Sequence, residues 1–209
     1  MRNSIPVINP VTVVDYWLGD TERSPGAVRD KSRIWYGSSE KVDREIEDRF
    51  GEALRLAEAD KLQSWLATPT GQLASVILLD QFTRNLNRGT GDAWKNDGLA
   101  LAIAEKCVAG KDYLSLSTIG RVFLYHPFHH AESVSAQGKA VDLFEELYNE
   151  APDDWRPPLK GFVDFAKRHH KIISRFGRFP HRNETLGRKS TSDEIEYLLE
   201  NRKNYGQGK

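Results

Sequence analysis

Residues 40–60 read "EKVDREIEDRFGEALRLAEAD". Val42, Ile46, Phe50, Leu54 and Ala57 recur at steps of three and four, and the positions between them are largely charged. That spacing puts the apolar side chains on one stripe of a helix and the charges on the opposite face. The stripe has to be buried against other elements, and the neighbouring sequence supplies partners of the same kind.

Towards the N-terminus, Pro10 suits a first helical turn, with Val11, Val14, Tyr16, Trp17 and Leu18 behind it and Gly19 as a stop. Residues 21–37 read as a loop containing Pro25-Gly26, with Trp35 and Tyr36 as its plug into the core. On the other side, a short helix surrounds Trp65 and Leu66. Pro69-Thr70-Gly71 then opens one that runs through Leu73, Val76, Ile77 and Leu78 towards Asn85. After a Gly89–Gly91 turn comes a helix over 93–109, then a short one over 119–125 broken near Pro127, then an amphipathic one over 134–148. The Pro-rich connection "NEAPDDWRPP" (149–158) leads to a helix over 159–176. Thr191 and Glu194 form a capping-box pattern for a last helix through Leu199. No strand-like alternation of useful length occurs. The expected architecture is therefore all-α, antiparallel helical hairpins in a single domain over 1–203, with a flexible tail over 204–209.

Composition narrows the function classes. The chain has 209 residues, 39% hydrophobic and 29% charged, with a formal net charge of zero. A neutral chain gives no general attraction to nucleic acid or to anionic membrane, so neither is expected as a partner. No apolar run approaches the roughly 18 residues that span a bilayer, and the N-terminal stretch lacks the apolar core of a signal peptide. Cys107 is the one cysteine, so no internal disulfide is possible and a reducing cytoplasm is the simplest setting. Its place among small apolar residues suits an inert thiol better than a nucleophile. There is no phosphate-cradling glycine loop and no nucleophile elbow, and no cofactor is expected.

Three segments carry chemistry. In residues 71–89 the apolar stripe of Leu73, Val76 and Ile77 continues into Asp80, Gln81, Arg84 and Asn85. Asp80 and Arg84 stand four apart and can pair along the helix, either as an internal ion pair or as groups lining a cavity. Residues 165–183, "FAKRHHKIISRFGRFPHRN", place His169 on the apolar face with Phe162, Phe165, Ile172 and Phe176. His170 is turned about 100° away, and Gly177 is a left-handed stop. Arg175, Arg178 and Arg182, with His181 and Asn183 beside them, alternate with Phe176, Phe179 and Pro180. Anchored arginines of this kind recognise carboxylate or phosphate, or the protein's own acids. In "YHPFHHAES" (125–133), His126, His129, His130 and Glu132 invite a metal reading. Pro127 argues against a regular helix that would bring His126 and His130 together, and no metal site is expected. His130 with Glu132 remains available as an acid–base pair.

The runs "ILLDQFTRNLNRGT" (77–90), "FLYHPFHHAE" (123–132) and "RFGRFPHRN" (175–183), followed by "LGR" (186–188), resemble the family called domain of unknown function 924. "VVDYWLG" (13–19) and "WYG" (35–37) fit it too, so the likeness covers roughly residues 11 to 200. The resemblance implies a tetratricopeptide-like, right-handed helical fold, and it brings no established activity. It marks as site positions Asp80, Gln81, Arg84, Asn85, His130, Glu132, His169, Arg175, Arg178, His181, Arg182 and Asn183. The chain departs from the family pattern at Thr83, where proline is usual, at His126 and His129, where apolar residues are usual, and at Ala131, where serine is usual. Those departures weaken a metal site built on His126 and His129.

The functional expectation is a polar pocket in a helical stack that binds an anionic small molecule or a peptide carboxylate. One alternative is an enzyme using His130, Glu132, His169 or Asp80 for acid–base chemistry, with or without the help of a metal, on a small anionic substrate. The other is an internal polar network with no ligand.

Overall fold

The helix over residues 40–60 forms as its stripe requires. A computed structural model describes residues 8–201. In it α3 (Glu40–Glu58) starts at Ser39, whose hydroxyl accepts the Val42 amide, and buries Ile46, Phe50, Ala53 and Leu54. Its outer face keeps Arg49 paired with Glu45, and Arg55 with Glu47 and Glu52. Ahead of it lie α1 (Pro10–Trp17), closed at its start by an Asn9–Thr12 capping box, and α2 (Val28–Tyr36).

The stretch expected to be a loop is helical over α2. Its buried side chains are Val28 and Trp35, seven residues apart, so one narrow seam holds it while the rest faces outward. Trp35 does plug into the core, where its indole N–H donates to the Trp17 carbonyl at 2.8 Å and its ring meets Phe123 edge-on at 4.7 Å.

Next, α4 (Pro69–Val76) is capped by Thr68. A β-carbon on Gly71 would lie 1.9 Å from the Trp65 carbonyl oxygen, so only glycine allows the preceding turn to press this close. The helix continues without interruption through a π-helical segment, Ile77–Phe82, into α5 (Thr83–Leu86). All six π-helical residues are buried, Asp80 and Gln81 among them. The Thr83 amide reaches back five residues to the Leu78 carbonyl, the widened pitch that defines the segment.

The remaining helices are α6 (Asp97–Gly110), α7 (Thr118–His130), α8 (Val134–Glu150), α9 (Arg156–Phe176) and α10 (Ser192–Glu200). The break expected near Pro127 does not occur, because α7 runs through it to His130. Proline costs the helix one hydrogen bond there, and burial of every residue from Val122 to His129 offsets it. Gly177, at φ +71°, ends α9, and the Thr191–Glu194 capping box opens α10.

Helix α7 packs against α4, α6, α8 and α9, and α4 also meets α1. One contiguous apolar cluster fills the space between them, with a satellite of Ile172, Ile173 and Phe179. The described residues contain no strand and form a single all-α domain. The tail expected over 204–209 lies outside the described residues. No helix among those described is long and apolar enough to cross a membrane.

Candidate functional site

The C-terminal end of α7 organises the site. A helix leaves its last carbonyls without intrahelical partners, and here side chains from three other segments supply them. The His129 carbonyl accepts from His169 Nδ1 of α9 at 2.8 Å and from Gln137 Nε2 of α8 at 2.7 Å. Gln137 also donates to the Ala131 carbonyl, and Arg182, beyond α9, donates to the His130 carbonyl at 3.0 Å. The 165–183 segment and the histidine run of α7 are therefore joined by direct hydrogen bonds.

The widened turn of the π-helical segment delivers Asp80 to the same place. Its carboxylate is wholly buried. Oδ1 accepts from His130 Nδ1 at 2.7 Å and forms an ion pair with Arg84 at 3.0 Å, Oδ2 accepts from Gln81 Nε2, and the Arg84 guanidinium donates to the Asp80 backbone carbonyl at 2.6 Å. Arg84 also donates to Asp97 at 2.9 Å, and Asp97 is shared with Arg182 at 3.3 Å. Burial alone would raise the Asp80 carboxyl, but Arg84 and His130 outweigh it and hold the group well below the usual carboxylate range. Burial, reinforced by Arg84, pushes His130 well below the ordinary imidazole value despite Asp80. The pair at neutral pH is thus a carboxylate and a neutral imidazole whose N–H is fixed on Nδ1.

Three further imidazoles adjoin it. His126 donates from Nδ1 to the Val122 carbonyl at 2.7 Å, so its Nε2 accepts the Tyr36 hydroxyl at 3.1 Å. His129 lies 4.5 Å from His130 between ring centroids, and neither of its buried ring nitrogens has a partner among the described residues. His169 packs 4.3 Å from Phe165 and 4.8 Å from Phe179. Burial lowers all three, His169 to about 3. The separation expected from Pro127 is overturned, since His126 and His130 approach to 5.6 Å. Even so, no group of three or more His, Cys, Asp or Glu among the described residues is arranged to hold a metal ion.

These groups form one wall of a cavity of about 1300 Å³ between α2, α7, α9 and the end of the π-helical segment. Of the positions marked in the sequence, Gln81, Arg84, Asn85, His130, His169, Arg175, His181 and Arg182 line it, and Asp80 stands directly behind. Glu132, Arg178 and Asn183 do not line it. Glu132 is gripped by Arg188 at 2.6 and 2.9 Å and by the Phe179 amide at 2.8 Å, so it does not pair with His130. Arg178 forms a two-pronged pair with Glu194 at 2.7 and 2.8 Å, and Asn183 donates to the same carboxylate. That subset clasps the post-α9 loop to α10 and to the end of α7. Arg182 lines the cavity but is stacked 5.2 Å from Trp94 and 4.5 Å from Phe179, and is neutralised by Asp97.

Of the outer part of the wall, sequence reading marked Arg175 alone. Arg168, Lys171 and Arg175 follow one another at three and four residues along one edge of α9, and Arg29 of α2 also lines the cavity. None of these four forms an ion pair among the described residues. Arg168 lies 5.2 Å over Phe165 and Arg175 4.7 Å over Phe176, so two of the cations rest on aromatic faces. Their common spacing was the available signal. Trp35 and Tyr36 also line the cavity, through the α2 helix that was read as loop.

The chain belongs to the family described as "Bacterial protein of unknown function (DUF924)", whose model matches residues 13–202. A solved structure of a protein of unknown function from Agrobacterium tumefaciens is similar, with 34% sequence identity and a TM-score of 0.77 over 91% of this chain and 97% of that one. No curated protein matches.

Proposed function

We propose that this member of the family binds an anionic small molecule with an extended apolar body in the cavity. One observation carries the reading. Cations without ion-pair partners among the described residues, Arg29, Arg168, Lys171 and Arg175, border a wall of aromatic side chains, and Asp154 is the one acid on the lining. Internal ion pairs do not need such a rim. An anion with an apolar body would gain both from its charge and from desolvating the rings. The α9 lining extends from Pro157 to Phe176, about 28 Å at 1.5 Å per residue. That length also favours a second reading, a peptide held by its terminal carboxylate. The tetratricopeptide-like stack belongs to the same proposal, supported by α7, α8 and α9 each packing on the next. Nucleic acid is not a proposed partner of a chain with zero net charge. A cytoplasmic setting fits the buried free thiol of Cys107.

Anilinonaphthalene sulfonate, an aromatic anion, is a suitable probe. A fluorescence titration should show saturable binding to the wild-type chain. Arg168→Gln/Lys171→Gln/Arg175→Gln should weaken it about tenfold or more, the sum of three exposed charge contacts of up to about 1 kcal/mol each. Equal affinity in the triple variant would rule these cations out as the anion site.

A further inference from the structure

The Asp80–His130 pair has a use that binding alone does not require. We propose that the cavity is an active site in which His130 is the general base and Asp80 its positioning residue, cleaving an acyl bond, ester or amide, of the bound anion with water. This rests on the cavity being a ligand site.

Four observations support it. First, His130 donates from Nδ1 to a carboxylate that is itself fixed by Arg84 and Gln81, so the ring can neither rotate nor change tautomer freely. Second, its Nε2 has no protein partner among the described residues and is not one of the buried, unsatisfied atoms, and His130 lines the cavity. The lone pair therefore opens onto the space where a ligand would lie. His126 and His169 differ from it, since their Nδ1 groups are spent on backbone carbonyls and neither has an acid behind it. Third, the neighbouring His129 has both ring nitrogens without partners among the described residues while its ring is nine-tenths buried. The inner wall thus carries hydrogen-bonding capacity that the fold does not use. Fourth, the two α2 hydroxyls on the lining are committed to other partners. Ser32 donates to the Val28 carbonyl at 2.7 Å, and Tyr36 is bonded to His126. The nucleophile assigned to the step is water.

In the step itself, water loses a proton to Nε2 as its oxygen bonds to the acyl carbon. The imidazolium that forms is stabilised by Asp80, which stays ionised. The same proton then passes to the leaving oxygen or nitrogen as its bond to the acyl carbon breaks. One water is consumed, a carboxylic acid and an alcohol or amine are released, and no electrons are exchanged.

The test uses the full chain and the mono-4-nitrophenyl ester of succinic acid, an anionic ester whose product is coloured. The wild-type protein should outpace free imidazole at equal concentration. His130→Asn keeps an N–H for Asp80 but removes the base, and should lower kcat/KM about 100-fold or more, the scale of general-base contributions. Asp80→Asn should lower kcat at least about tenfold with KM unchanged, which a merely structural role would not produce. His170→Asn, away from the cavity, should change nothing. The inference is overturned if the wild type shows no turnover above imidazole, or if a folded His130→Asn variant, judged by its melting curve, stays within about threefold of wild type. Binding of anilinonaphthalene sulfonate without turnover would sink this inference alone. Absence of binding would sink the ligand site and this inference with it.

Discussion

Arg84→Met is expected to destabilise the chain by about 3–5 kcal/mol, the range for breaking a buried ion pair from one side. Arg84 is nearly buried and holds two carboxylates, Asp80 at 3.0 Å and Asp97 at 2.9 Å. Without it, Asp80 keeps only its contacts to His130 and Gln81, and a wholly buried carboxylate loses its nearest full charge. Methionine preserves the bulk of the side chain, so the loss would be electrostatic rather than a cavity. In a double-mutant cycle with Asp80→Asn, urea denaturation should give a coupling of more than about 1 kcal/mol. Coupling under about 0.3 kcal/mol, the level of an exposed pair, would show that the network does not depend on this contact.

Acid should unfold the protein well before its carboxylates are protonated. Burial holds His169 at about 3 in the folded state, against an ordinary value of about 6.5. The unfolded chain therefore takes up a proton that the folded chain excludes. This contribution to stability is complete above about pH 6.5 and is lost as pH falls towards 3. At pH 5 His169 alone accounts for about 2 kcal/mol. His126, His129 and His130 are lowered for the same reason and add to the loss in the same direction. Asp80 and Glu194 are depressed instead, so their contributions disappear only below the ordinary carboxylate range and do not offset the histidines at pH 5. Against a total stability of about 5–15 kcal/mol, the midpoint of urea unfolding should drop steeply between pH 7.5 and pH 5. A flat profile would mean that the imidazoles are not buried neutral in solution.

The parts of this arrangement that were legible in the sequence are local ones. The stripe of α3, the Gly177 stop at φ +71° and the Thr191–Glu194 capping box all follow from spacings of a few residues. The Asp80–Arg84 pair was readable on the same basis, because four residues place two side chains on one helix face. What was missed depends on distant partners or on unmarked geometry. Helix α2 buries only Val28 and Trp35, too few positions to display a period. The π-helical pitch of Ile77–Phe82 leaves no mark in a segment that is buried on every side. Pro127 looked like a break because proline usually is one, and only burial by neighbouring helices explains why α7 passes through it.

The arginine block shows the same limit on the functional side. Arg175, Arg178 and Arg182 lie within eight residues. Yet Arg178 belongs to Glu194, Arg182 to Asp97 and the end of α7, and only Arg175 faces the cavity with no ion-pair partner among the described residues. Composition could say that the segment is rich in cations. Which of them the protein neutralises for itself is decided by acids 16 and 85 positions away.

A thermal-shift screen of anionic, neutral and cationic metabolites, run in parallel on the wild type and on Arg168→Gln/Lys171→Gln/Arg175→Gln, tests the ligand site most directly, because a ligand bound only by the folded chain raises its melting temperature. The account predicts that the compounds stabilising the wild type carry a carboxylate or phosphate on an apolar body and that their shifts collapse in the triple variant. Hits that are mainly neutral or cationic, or anionic hits whose shifts survive the loss of all three cations, would contradict it.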